Sequence, residues 1–227
     1  MRTERGTHEP GVMLRGMLAV LLLGVASGLC WLLWATPLAP GLDDAVRAAL
    51  AQSGVENPVT AVLLNFRGYD TLLEIAVMTS TLVGVWALGP APKLHERPPS
   101  PVLLGLDSVL IPLSAVICGY LLWVGATRAG GAFQAGSVLA ATGVLFILSG
   151  RRPRIGLPHA PMRWGVVLGL ATFLVVALAV MGDGRQFLEY PPGSAKTLIL
   201  VIEAAATLSI AVILAGLFIG GRPGDEP

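Results

Sequence analysis

Residues 197–219 read TLILVIEAAATLSIAVILAGLFI, an unbroken apolar run whose one charge is Glu203. As a helix rising 1.5 Å per residue it is about 35 Å long, enough to cross the roughly 30 Å hydrocarbon core of a bilayer. A carboxylate at that depth costs about 2.5–3.5 kcal/mol on insertion scales. Such a group faces protein or water rather than lipid, where it can bind or pass an ion. The run therefore predicts an integral membrane protein with a charge-handling site inside the bilayer. The alternative for Glu203 is a protonated side chain hydrogen-bonded to a neighbouring helix for packing alone.

The rest of the chain agrees with the first conclusion. It is 54% hydrophobic and 13% charged, with a mean hydropathy of +0.75. Soluble domains carry about 25% charged residues, so a single water-soluble core is excluded. A net charge of +1 gives no electrostatic footprint for nucleic acid. Cys30 and Cys118 both lie in apolar runs, outside any CxxC or Cys/His pattern, and read as small buried hydrophobes. His8, His95 and His159 fall in tails or loops, which excludes a bis-His haem pocket. No motif of a hydrolase or kinase is present, and no cofactor is expected beyond transported Na⁺ and H⁺.

Six runs reach spanning length, near 14–35, 69–89, 102–125, 132–149, 164–181 and 197–219. Lipid offers no partner for backbone polar groups, and none of the runs alternates with period two, so the expectation is all-α with about six transmembrane helices. The first run follows Arg2, Arg5 and Arg15 but is longer than a secretory h-region, and it reads as a retained span. With both termini cytoplasmic, the inner segments hold Arg2, Arg5, Arg15, Lys93, Arg97, Arg151, Arg152, Arg154, Arg163 and Arg222. The outer ones hold Arg47, Arg67, Arg128, Arg185 and Lys196. That asymmetry follows the positive-inside rule.

The first outer segment is long. Its DDAVRAALAQ, Asp43 to Gln52, predicts a short amphipathic helix closed by Gly54. Val59 to Leu64 is apolar but too short to cross, which predicts an interfacial or re-entrant piece and a bend near Arg67-Gly68. The proline-rich PAPKLHERPPSP at 90–101 is the expected boundary between a two-span region, 1–89, and a four-span region, 102–227. No internal repeat is evident, which weakens an inverted-repeat transporter reading.

Four constellations can carry chemistry. In Asn65-Phe-Arg-Gly-Tyr-Asp-Thr-Leu-Leu-Glu74, Asp70 and Glu74 are four apart and share a helical face beside Thr71. Asp70 can also simply cap the second span, an account that serves Glu74 less well because it lies a turn deeper. Glu203 is the second; with spans two and six entering from one side, Glu74 and Glu203 are expected at comparable depth. Asp107-Ser108 with Pro112 and Ser114 is the third: the proline frees a carbonyl near Ser108, and the group can hold water or a cation, or Asp107 is an ordinary interfacial carboxylate. The fourth is Gly130-Gly-Ala-Phe-Gln-Ala-Gly136, which lacks the spacing of a phosphate loop and reads as a tight turn with close helix contact. There Gln134 can hydrogen-bond a partner's backbone. Spacings Gly24/Gly28, Gly165/Gly169 and Gly216/Gly220 fit close helix packing. So few polar residues inside six spans point to one component of a larger complex rather than a solitary transporter.

The run 57–75, NPVTAVLLNFRGYDTLLEI, resembles the FRGFDTxxEI segment near the C-terminal end of the large A-type subunit of Mrp-type sodium/proton antiporters. The same segment occurs as a separate small E-type subunit in related membrane-bound hydrogenases. Residues 102–219 resemble the B-type subunit of those antiporters, the MnhB family. Its PGGGFQGG signature aligns with Ala129-Gly-Gly-Ala-Phe-Gln-Ala-Gly136, and Phe187-Leu-Glu-Tyr-Pro-Pro-Gly193 also fits. Ala129 stands where the family has proline and Ala132 where it has glycine. The resemblance implies a fusion of two family pieces, working beside large A- and D-type and small C-, E-, F- and G-type subunits in a prokaryotic cytoplasmic membrane. It assigns Asp70, Glu74 and Glu203 to the family's acidic positions, as carboxylates for Na⁺ or H⁺. Asp107 is added from the residues alone. The alternatives are the sodium/proton module of a hydrogenase-like respiratory complex and a purely structural helix clamp.

Overall fold

The computed structural model describes residues 11–36, 41–89, 101–149, 159–182 and 184–221. These residues are helical throughout their ordered elements, with no strand among them. Eight α-helices follow one another: α1 (Val12–Ala35), α2 (Asp43–Ala49), α3 (Pro58–Ala61), α4 (Gly68–Ala87), α5 (Pro101–Val124), α6 (Ala132–Leu148), α7 (His159–Gly182) and α8 (Ala195–Ile219). Five of them, α1, α4, α5, α7 and α8, are long and apolar enough to cross a membrane, and α6 is a shorter apolar helix of 17 residues. The six expected spans are therefore all helices, with α6 the short one.

The chain divides into two compact units, Met1–Leu42 and Asp43–Pro227. In the first, α1 is a 24-residue helix with none of its residues buried, and Trp31 and Trp34 stand near its C-terminal end, as aromatic residues do at a membrane interface. Gly24 and Gly28 have open space around them, so nothing in this unit uses their small size. Most of the expected linker at 90–101 and eight of the cations behind the expected orientation, at 2, 5, 93, 97, 151, 152, 154 and 222, lie outside the described residues.

In the second unit α8 is the hub, packing against α6, α7, α4 and α5. Its contacts are close because small residues stand at the crossings. A Cβ on Gly169 of α7 would come within 3.0 Å of Ala206 Cα, and one on Gly136 of α6 within 2.8 Å of Ile210. Ser209 Oγ adds a hydrogen bond of 2.6 Å to the Val166 carbonyl, tying α8 to α7. Lipid tails are as apolar as leucine, so backbone proximity and such polar contacts carry helix association in a bilayer. Ile75, Phe173, Ile199, Ile202 and Ile210 fill the core around them.

The segment between α1 and α4 forms the short helix and the bend that the sequence predicts. α2 continues as a 3₁₀ turn over Leu50–Gln52, and Gly54 at φ +77° closes it against Ala195 at the start of α8. Asn57 caps α3 by accepting from the Val59 amide, with Pro58 at the first helical position. A π-helical turn, Val62–Phe66, follows, and the chain bends at Arg67 before α4 begins. Thr71 Oγ1 donates to the Leu63 carbonyl at 2.6 Å, which stitches the bend to α4. Leu188, at φ +64°, packs on Gly68 and is buried. Beside it burial pushes the Tyr190 hydroxyl well above its ordinary range, and its oxygen finds no hydrogen-bond partner among the described residues.

Candidate functional site

α4 and α8 run in the same direction: Gly68 lies at Leu188 just before α8, and Leu82 lies at Gly216 near its end. Glu74 is six residues into α4 and Glu203 eight into α8, about 9 Å and 12 Å along their helices. Both carboxylates line one cavity of about 370 Å³, walled by Val59, Thr60, Leu63 and Thr71 on one side and by Gly130, Gly131, Phe133 and Gln134 on the other.

The two acids are held differently. Glu203 is 3% exposed, and its carboxyl group rests against the first turn of α6, with Oε1 2.7 Å from where a Cβ on Gly131 would lie. Free amides and the macrodipole make a helix N-terminus favourable for a carboxylate. Its second oxygen, Oε2, is buried and has no hydrogen-bond partner among the described residues. Glu74 is exposed on the surface of the unit but opens onto the cavity, as does Gln134. Together they open into a largely apolar recess with one unsatisfied buried oxygen, a place fit to hold a proton, a water or a small cation.

Glycine is required at the turn that presents α6. Gly131 has φ +102° and ψ −172°, a conformation nearly confined to glycine. A Cβ there would also lie 2.7 Å from Glu203 Oε1. Gly130 is bounded by the Leu121 carbonyl, and Gly136 passes α8, so the glycine cluster makes a tight turn and a close helix contact as expected. Ala132, at the position where the signature has glycine, is buried without obstructing the turn.

Other expected residues stand apart. Asp70 pairs with Arg67 in the first turn of α4 and does not line the cavity, so its shared face with Glu74 does not become a shared site. Nor does it cap the helix, whose N-cap is Arg67 without a side-chain cap bond. Asp107 is fully buried in α5 but lies 17 residues from Val124, about 26 Å along the helix from the end that carries the turn. Ser108, its expected neighbour in a grouping with Pro112 and Ser114, is exposed and donates to the Gly105 carbonyl one turn back.

Sequence reasoning missed how the turn is fastened. Asn57 Nδ2 donates to the carbonyls of Gly125 (3.1 Å) and Arg128 (2.7 Å), and Thr60 Oγ1 donates to Gly125 at 2.6 Å. The signal in the sequence was local only, an Asn-Pro pair that reads as a helix cap.

Comparisons with known proteins agree with this architecture. The family model described as a domain related to the MnhB subunit of Na⁺/H⁺ antiporters matches residues 102–222, a little over half of the chain. A relative from Rhizobium meliloti (strain 1021), named as the probable A/B subunit of a K⁺/H⁺ antiporter, is 28% identical over 219 residues. The match covers 79% of this chain and 21% of that relative, so the chain spans about one fifth of its length. Among solved structures, the Mrp complex from Dietzia sp. DQ12-45-1b superposes with a TM-score of 0.68 at 22% identity, over 97% of this chain and 27% of that one. An archaeal membrane-bound sulfane sulfur reductase matches with a TM-score of 0.69 at 23% identity, over 91% of this chain and 97% of its counterpart. At these identities the two structures establish the fold. The chain belongs to the family of domains related to the MnhB subunit of Na⁺/H⁺ antiporters.

Proposed function

We propose that this protein is a multi-pass membrane component of an antiporter complex built from several different chains, which exchanges a monovalent cation for protons, with Glu203 and Glu74 as carboxylates on the ion path. The observation that carries the reading is the shared cavity, whose lining a buried acid beside the α6 N-terminus shares with a second acid and an amide side chain. Family membership and the naming of the Rhizobium relative support it. Burial of Glu203 makes its charged state costly without a counter-charge, so it takes either a proton or a cation. Competition of the two for one oxygen pair is the elementary step of exchange. Asp70 and Asp107, outside the cavity, serve structure in this reading.

The cation is Na⁺ in the family description and K⁺ in the name of the relative, so both belong in the assay. We place the complex in a prokaryotic cytoplasmic membrane with both termini inside, on the charge asymmetry of the loops. Residues 1–89 correspond to the A-type end, 102–227 to the B-type region, and 90–101 to their linker. The partners are large A- and D-type and small C-, E-, F- and G-type subunits. The test is proton-coupled Na⁺ and K⁺ flux in vesicles holding the Glu203→Gln complex. Flux per assembled complex is expected to fall at least about tenfold, as for a group needed in the transport step; wild-type flux contradicts the role.

A second reading places the same chain in a redox-driven respiratory complex. It is favoured by the near full-length match to the sulfane sulfur reductase chain. Purification of the native complex separates the two: antiporter-type subunits without redox metal support the first, and nickel, iron or flavin in the particle supports the second.

A further inference from the structure

The cavity owes its shape to a turn that the chain's other half holds in place. Asn57 is buried, and its side chain serves two separate functions through two atoms. Its Oδ1 accepts from the Val59 amide and caps α3. Its Nδ2 reaches across the sequence to the carbonyls of Gly125 and Arg128 and to Thr60 Oγ1 at 3.0 Å. The amides of Glu56 and Asn57 both donate to the Ala126 carbonyl, at 2.9 and 3.0 Å, and Thr60 adds its bond to Gly125. Three carbonyls of the 125–128 turn are thus occupied by one short segment.

The far side of that turn is the α6 N-terminus. The Gly131 amide donates to the Leu121 carbonyl at 2.9 Å, and Gly125 and Gly131 are so close that a Cβ on Gly125 would sit 2.7 Å from the Gly131 nitrogen. Glu203 rests on this same turn: its Oε1 lies 2.7 Å from where a Cβ on Gly131 would be. The path from Asn57 to the carboxylate is therefore one backbone turn with no slack. Glu203 Oε2 remains buried without a partner among the described residues, so the carboxyl group is placed by the turn it packs on.

We infer that Asn57, seconded by Thr60, is a positioning residue for the ion step: it sets the 125–131 turn, and through it the backbone against which the Glu203 carboxyl group rests. It touches neither the cation nor the carboxylate. The inference rests on the proposed role of Glu203 as an ion-path carboxylate. It goes beyond that role by naming what holds the site in register.

Two substitutions test it in the assembled complex in vesicles. Asn57→Asp keeps an acceptor for the cap and removes the donors to the turn. Thr60→Val keeps the side chain's shape and removes its one hydroxyl donor. For each, Na⁺ and K⁺ flux is measured against cation concentration and normalised to assembled complex. The modification of Glu203 by dicyclohexylcarbodiimide, with and without cation, is followed by mass spectrometry. Positioning predicts that KM for the cation rises about fivefold, the worth of one hydrogen bond, with a smaller change in maximal rate. It also predicts that cation protects Glu203 from the reagent less well than in the wild type. Wild-type KM and protection in either assembled variant overturn the inference, as does loss of assembly in both, which makes the contact purely structural. Glu203→Gln run alongside separates the two claims. Normal flux in that variant removes the ion-path reading itself, whereas a dead Glu203→Gln with unaltered Asn57→Asp and Thr60→Val removes the positioning role alone.

Discussion

Gly131 is where backbone and chemistry meet most tightly, since its φ of +102° and its 2.7 Å clearance to Glu203 both exclude a side chain. Gly131→Ala should lower the stability of the detergent-solubilised protein by about 1–3 kcal/mol, the usual cost of such a conformation. It should also displace the Glu203 carboxyl, so thermal unfolding and carbodiimide reactivity are expected to change together. A fall in stability with unaltered reactivity would detach the turn from the acid. Tyr190 gives the opposite expectation. Its hydroxyl is buried without a described partner, so Tyr190→Phe removes a desolvated polar group at little loss of packing. The thermal midpoint of Tyr190→Phe should match or exceed that of the parent; a drop of several degrees would reveal a partner for the hydroxyl.

At the scale of elements, the sequence showed most of what the fold contains, for a physical reason. In a bilayer every backbone group must be satisfied within its own helix, so length and apolarity alone locate spans. The bend at Arg67-Gly68 was legible because the run from Val59 to Leu88 is too long for one membrane crossing. Glu203 was legible because a lone charge in an apolar run is costly. Asp70, Asp107 and Ser108 show the limit of the same reasoning. Spacing gives the face a residue occupies, but which face meets a cavity is decided by neighbouring helices distant in sequence. The Asn57 contact spans 68 residues, and no local pattern encodes it. The glycine spacings divided in the same way: Gly165 and Gly169 face α8, while Gly24 and Gly28 meet open space. Gly169→Leu should therefore force α7 from α8 and reduce the yield of folded protein severely, while Gly24→Leu should leave the folding of residues 43–227 unaltered. Equal yields from the two, measured by size-exclusion chromatography in mild detergent, would contradict the close crossing at Gly169.

For the whole molecule, the pieces of sequence that resemble two different antiporter components share one site. The 57–75 run supplies Thr60, Thr71 and Glu74, and the 102–219 region supplies the glycine turn, Gln134 and Glu203. Neither region alone encloses the cavity. If the two carboxylates act as one site, their losses are not independent, because residues that share an interaction couple while distant ones add. The decisive measurement is a double-mutant cycle on cation flux per assembled complex, using Glu74→Gln, Glu203→Gln and the pair together in vesicles. The account predicts that Glu203→Gln is at least as damaging as Glu74→Gln and that the double variant is no slower than Glu203→Gln alone. Losses that multiply, or a double variant that transports at the wild-type rate, would contradict a shared carboxylate site.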